Sequence, residues 1–117
     1  KQVVCISTAA GSGMKSTNKD MAHSAFFWGA ARIYRYGVAV METSWERVGG
    51  KKKQKIEKKL DSLARNIRKR QKSVRPSVKT RAFFTIMSIM QRHGFNKADA
   101  DYWAAKGWTG KKRPWKS

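Results

Sequence analysis

Two β-branched, apolar segments, Val3-Val4-Cys5-Ile6 and Ile33-Tyr34-Arg35-Tyr36-Gly37-Val38-Ala39-Val40-Met41, flank a single helix-forming stretch. That order constrains the chain more than any other feature. A strand, a helix and a strand joined at this length close with the strands parallel and the crossover right-handed. The first strand, expected over Lys1 to Ser7, is apolar without alternation, the pattern of a strand covered on both faces. In the intervening helix Met21, Ala22, Ala25, Phe26, Trp28 and Gly29 recur at helical spacing. Ser16, Thr17 or Asn18 is expected to cap it and Gly29 to stop it. Gly37, inside the second strand, predicts a bulge or a close approach by another group. Two parallel strands cannot bury themselves, since each needs neighbours and helical cover. The first strand is therefore expected to carry an unfilled edge, completed by another polypeptide or by sequence upstream of Lys1.

The remainder reads as helical. Ser44-Trp45-Glu46 resembles a helix start and Gly49-Gly50 a break before the next helix. From Lys51 to Lys72 the residues Ile56, Leu60, Leu63, Ala64 and Ile67 fall on one narrow stripe, and nearly everything else is charged or Gln. Such a helix packs by one face and shows water a broad basic one. Past Pro76 the composition changes. Ala82 to His93 is expected as a third helix rich in Phe83, Phe84, Ile86, Met87, Ile89 and Met90, stopped by Gly94. Asn96 is placed to cap a short fourth helix that ends at Gly107. The aromatic and Met residues of the third helix are read as packing, with part of the stripe a candidate interface. Trp103, Trp108 and Trp115 are read as pins that hold the tail to the body.

The 117 residues suffice for one modest domain. Twenty-seven Lys and Arg against seven acids leave a net charge of +20, which attracts polyanions of any kind over about 8–10 Å at ordinary salt. Fourteen of those bases lie between Lys51 and Arg81 beside only Glu57 and Asp61. The run is read first as a solvated helix face, and next as a surface for nucleic acid or anionic membrane. It has no zinc-finger spacing, RNP aromatic motif or leucine zipper. No apolar run is long enough to cross a bilayer, and no signal-peptide pattern opens the chain. The single cysteine, Cys5, is read as a buried thiol in a reducing compartment, which points to the cytoplasm. His23 and His93 lack partners at metal-ligand spacing, and His93 suits a helix C-terminus. No carboxylate pair or Ser-His-Asp set is suggested.

The loop Ser7-Thr8-Ala9-Ala10-Gly11-Ser12-Gly13 is the remaining puzzle. It fails the Walker A pattern, because Gly13 is followed by Met14 and Lys15 is displaced by one, and position 8 is Thr. It fails the dinucleotide fingerprint because position 16 is Ser. Seven small residues at the carboxyl end of a parallel strand nevertheless leave main-chain N–H and C=O groups open, where ligands bind in α/β sheets.

"VVCISTAAGSGMKSTNKDM" followed by "FFWGAARIYRYGVAV" resembles the second half of flavodoxin-like NAD(P)H-dependent FMN oxidoreductases, and "RAFFTIMSIMQRHGFNKADADYWAAKGWTGKKRPW" resembles a helical extension of some bacterial members. The resemblance spans nearly the whole chain and rests on motif order. It implies an α/β fold in which residues 1–72 are the C-terminal part of a flavodoxin-like parallel sheet and residues 73–117 a basic helical extension and tail. It implies that Ser7, Thr8, Ala9, Ala10, Gly11, Ser12, Gly13 and Met14 touch the FMN ring, with NAD(P)H as electron donor. The family's phosphate-binding loop and its second ring-contacting loop are not in this sequence. By resemblance the two strands are the fourth and fifth of five, and the edge of Val3 to Ser7 is the seam for the third. The partner expected there is the missing N-terminal half or a second copy. Alone, the chain is expected to bind flavin weakly or not at all, and to be inactive. The rival readings are a basic module for nucleic acid or an anionic surface, and an assembly fragment.

Overall fold

In a computed structural model that describes residues 1–116, the element order is β1 (Gln2–Ala9), α1 (Met14–Phe27), β2 (Arg32–Ala39), α2 (Gly50–Arg70), α3 (Val78–Arg92) and α4 (Lys97–Ala105). The chain is mixed α/β. It divides into one compact unit over Lys1–Val74 and a second from Arg75 onward.

In the first unit β1 and β2 pair in parallel, with Gln2 opposite Arg32 and Ala9 opposite Ala39 in unbroken register. Paired residues of a parallel ladder point to the same face, and successive residues alternate. Val3, Cys5 and Ser7 therefore share a face with Ile33, Arg35 and Gly37. Helix α1 covers that face. Cys5 is buried there as a free thiol, and the Ser7 hydroxyl donates to the Met14 carbonyl at 3.3 Å. Gln2, Val4, Ile6, Tyr34, Tyr36 and Val38 point the other way. There the Gln2 amide donates to the Ile67 carbonyl of α2 at 3.0 Å and accepts from the Tyr34 hydroxyl at 2.8 Å. Only Ile56 of the α2 stripe is fully buried, while Leu60 is exposed. Among the described residues the sheet has two strands, so β1 and β2 each keep one unpaired edge. Ile6 remains 49% exposed beside that of β1.

Several boundaries differ from the sequence expectation. β1 runs on past the expected end at Ser7, so Thr8 and Ala9 are strand as well, because the ladder to β2 continues to Ala39. Helix α1 starts at Met14, with Gly13 at the N-cap at φ 94° and no side-chain cap, in place of Ser16, Thr17 or Asn18. The hydroxyls of Ser16 and Thr17 instead turn back onto the Gly13 carbonyl, and Asn18 is buried within the helix. β2 is Arg32–Ala39, one residue earlier at its start and two shorter at its end than expected. Ser44-Trp45-Glu46 begins no helix. It forms a turn with the Val48 amide donating to the Trp45 carbonyl. Its Glu46 carboxyl is held below the usual range by its own main-chain amide and then by Ser44. Gly50 belongs to α2 itself.

Gly37 resolves to close approach, not a bulge: a Cβ there would lie 2.6 Å from the Met14 Cβ and 3.1 Å from Asn18 Nδ2.

In the second unit α3 begins four residues earlier than expected. Ser77 caps it, its hydroxyl accepting from the Thr80 amide at 3.1 Å. Replacing Ser77 with Ala leaves that amide unpaired and is expected to cost about 1 kcal/mol, read as a lower helix content on melting. Three helices end as the glycines foretold. After α1, α3 and α4 the residue pairs Gly29/Ala30, Gly94/Phe95 and Gly107/Trp108 donate back into the last turn in the Schellman pattern. The core is aromatic. Phe84 stacks on Trp103 at 4.8 Å and meets Trp115 and Trp108 edge-on at 5.0 and 6.0 Å. The Ser88 hydroxyl, almost fully buried, donates to the Trp108 carbonyl at 2.7 Å. The three tryptophans thus gather on Phe84 and hold the tail to α3.

Candidate functional site

Parallel strands bring their carboxyl ends to one side of a sheet, so whatever follows β1 and β2 must meet there. The Ala9 carbonyl accepts from the Val40 amide, extending the ladder one step past β2. Beyond it the two loops part and enclose a cleft of about 320 Å³. Thr8, Ala9 and Ala10 form one wall, and Val40, Glu42, Thr43, Ser44, Trp45 and Val48 the other.

The eight residues expected to face a ligand are spread by the fold. Thr8, Ala9 and Ala10 line the cleft. Gly11, Ser12 and Gly13 continue from it as an exposed loop with no side chain larger than a hydroxymethyl. Ser7 points to the α1 face, where its hydroxyl ties the two ends of the loop together. Met14 is turned against Gly37. The loop leads straight into α1, whose first-turn amides have no partner within the helix and no capping side chain. Main-chain donors and the positive end of the helix dipole therefore face the loop.

The second wall was not singled out from the sequence, although the geometry of a parallel pair places it: residues just past β2 must reach the same edge. Trp45 supplies a large ring there, 46% exposed, with the Lys53 ammonium 5.4 Å from its centroid. Glu42 supplies one carboxylate. Between Val40 and Glu42, Met41 takes φ 60°, a left-handed conformation that costs a side-chain-bearing residue about 1–2 kcal/mol. Strain of this kind is concentrated at functional sites. Here it turns the chain over the end of the sheet.

A wider groove of about 580 Å³ lies along β2 and α2. Tyr36, Val38 and Ile56 contribute apolar surface, and Lys52, Lys55, Lys58 and Lys59 ring it with ammonium groups. Lys52 is already engaged, donating to the Val40 carbonyl at 3.1 Å. The groove holds none of the loop residues and no carboxylate, so it suits an anion. Among the described residues no group of His, Cys, Asp and Glu is placed to hold a metal ion, and no helix is long and apolar enough to cross a membrane.

Compared with known proteins, the chain matches no family model, no curated sequence and no solved structure.

Proposed function

We propose that this chain supplies the ring-binding side of a flavodoxin-like, FMN-dependent NAD(P)H oxidoreductase. The observation that carries the reading is the cleft at the carboxyl ends of two parallel strands, walled by Thr8, Ala9 and Ala10 and by Trp45. The residues present fit a flat heteroaromatic group. Thr8, Ala9 and Ala10 have no bulky side chain to hold a ring off the main chain, and Trp45 offers a surface for stacking. Bound there, the flavin would supply the hydride chemistry. The chain's own work is to hold the ring: Thr8 to Gly13 give it main-chain contacts, and Ser7 fixes the loop by anchoring it to the start of α1. The unpaired edge of β1, with Ile6 beside it, suits a further strand, from an N-terminal half or from a second copy of the chain.

FMN titration in 1 M salt tests this, because screening at about 3 Å removes the unspecific pull of the +20 surface on the phosphate. With the cleft formed, weak binding and not its absence is the expected outcome, seen as a shift of the visible flavin spectrum. Ala10→Trp, which fills the cleft, should weaken it about tenfold, or 1.4 kcal/mol. Flavin binding that vanishes in salt, or that Ala10→Trp leaves unchanged, would sink the reading. The second reading, a basic module for nucleic acid, rests on the lysine-ringed groove and predicts DNA retention that falls steeply with salt and ignores Ala10→Trp.

A further inference from the structure

Helix α3 is amphipathic twice over. One side, through Thr80, Phe84, Ser88 and Gln91, packs inward on the unit's own aromatic core. Val78, Ala82, Ile86 and Ile89 recur at helical spacing on the opposite side. Val78 is 81%, Ile86 56% and Ile89 48% exposed, and Phe95, just past the helix, is 69% exposed. A run of branched apolar side chains open to water at this length asks for a cover.

Charge identifies the cover. Arg81 and Arg92 stand on one flank of the stripe and Lys79 on the other. The Arg92 guanidinium donates to the Thr109 carbonyl at 2.6 Å, which brings the start of the tail to that flank, with Lys111 two residues on. From Arg75 onward ten basic side chains face only two acids, Asp99 and Asp101. A second copy of this chain carries the same excess of cations and has no means to neutralise them. An anionic lipid surface neutralises them, because apolar side chains sink into the headgroup boundary while Lys and Arg extend their stems toward phosphates on either side. At 15 residues α3 is about 22 Å long, too short to span a bilayer and suited to lying on one.

We infer that the second unit docks on anionic membrane surfaces, with α3 lying in the interface and Val78, Ile86, Ile89 and Phe95 inserted. The inference stands apart from the flavin reading, since it uses none of the same residues.

Sedimentation of the whole chain with vesicles tests it. Phosphatidylcholine vesicles carrying about a third phosphatidylserine should bind the chain at least about tenfold more tightly than pure phosphatidylcholine. The double variant Ile86→Glu/Ile89→Glu, altered only at exposed positions, should lose about tenfold of that affinity. Lys58→Glu/Lys59→Glu on α2 should lose much less. An environment-sensitive dye on Ile86→Cys in a Cys5→Ser background should shift to the blue on the anionic vesicles, a readout that survives if the glutamate variant misfolds. Undiminished binding by Ile86→Glu/Ile89→Glu, or an unshifted dye, would show that charge alone acts and overturn the inference. So would equal binding to neutral vesicles, or a lipid-free dimer that the glutamate variant splits, which would make a second copy the cover.

Discussion

Gly37→Val is expected to destabilise the first unit by about 3 kcal/mol, and Gly37→Ala by about 1–2, in urea unfolding followed by far-UV circular dichroism. Two effects oppose each other at this position. Removing glycine from a strand limits the unfolded chain and by itself favours the fold by about 0.4–1 kcal/mol. Against that, the new Cβ would sit 2.6 Å from the Met14 Cβ. That atom is one bond from the α1 backbone and cannot swing aside, so the helix itself must move off the sheet. Asn18, whose amide nitrogen lies 3.1 Å from the same point, is buried with its carbonyl oxygen unpartnered, and it tolerates little further displacement. The clash wins. A Met14→Gly background should recover most of the Gly37→Ala loss, because the obstructing atom is then gone. A Gly37→Ala protein as stable as the parent would mean that α1 does not rest on β2 this closely.

Phe84→Ala is expected to be as damaging in the second unit. The ring touches Trp103, Trp108 and Trp115 and lies 5.8 Å from the Arg113 guanidinium, so one truncation removes contacts to α4 and to both ends of the tail. A fully buried Phe→Ala costs about 3–5 kcal/mol. Phe84 is half-buried, which brings the expectation to about 2–4 kcal/mol. Tryptophan emission should shift to the red as the rings reach water, while the strand signal of the first unit persists. Emission unchanged from the parent would contradict the tail's docking on α3.

What the sequence disclosed follows from which interactions are local. The strand–helix–strand order and the parallel pairing follow from a short crossover between two apolar segments, and they were legible, whereas of the α2 stripe only Ile56 is buried. The stops at Gly29, Gly94 and Gly107 were legible too, because a left-handed residue after a helix is a property of the glycine itself. The start of α3 was also written locally, in Ser77 and Thr80 directly after Pro76, and was passed over in favour of the denser apolar run from Ala82. The end of β1 was not local. Thr8 and Ala9 look like a loop by composition, and only the ladder to Val38 and Ala39 holds them extended. Ser44-Trp45-Glu46 has the residues of a helix start but lies where the chain must turn back from the end of β2. Half of the candidate site was missed for the same reason. Trp45 carries no motif, and its place opposite Ala10 is set by the parallel register of strands far apart in sequence.

The flavin reading comes down to where a ring makes contact, and amide chemical-shift mapping of the chain with FMN in 1 M salt addresses that directly. The reading predicts perturbations confined to the amides from Thr8 to Met14 and to the Trp45 indole. Perturbations spread over Lys52 to Lys59 with the Thr8–Met14 amides silent, or none at saturating FMN, would contradict it.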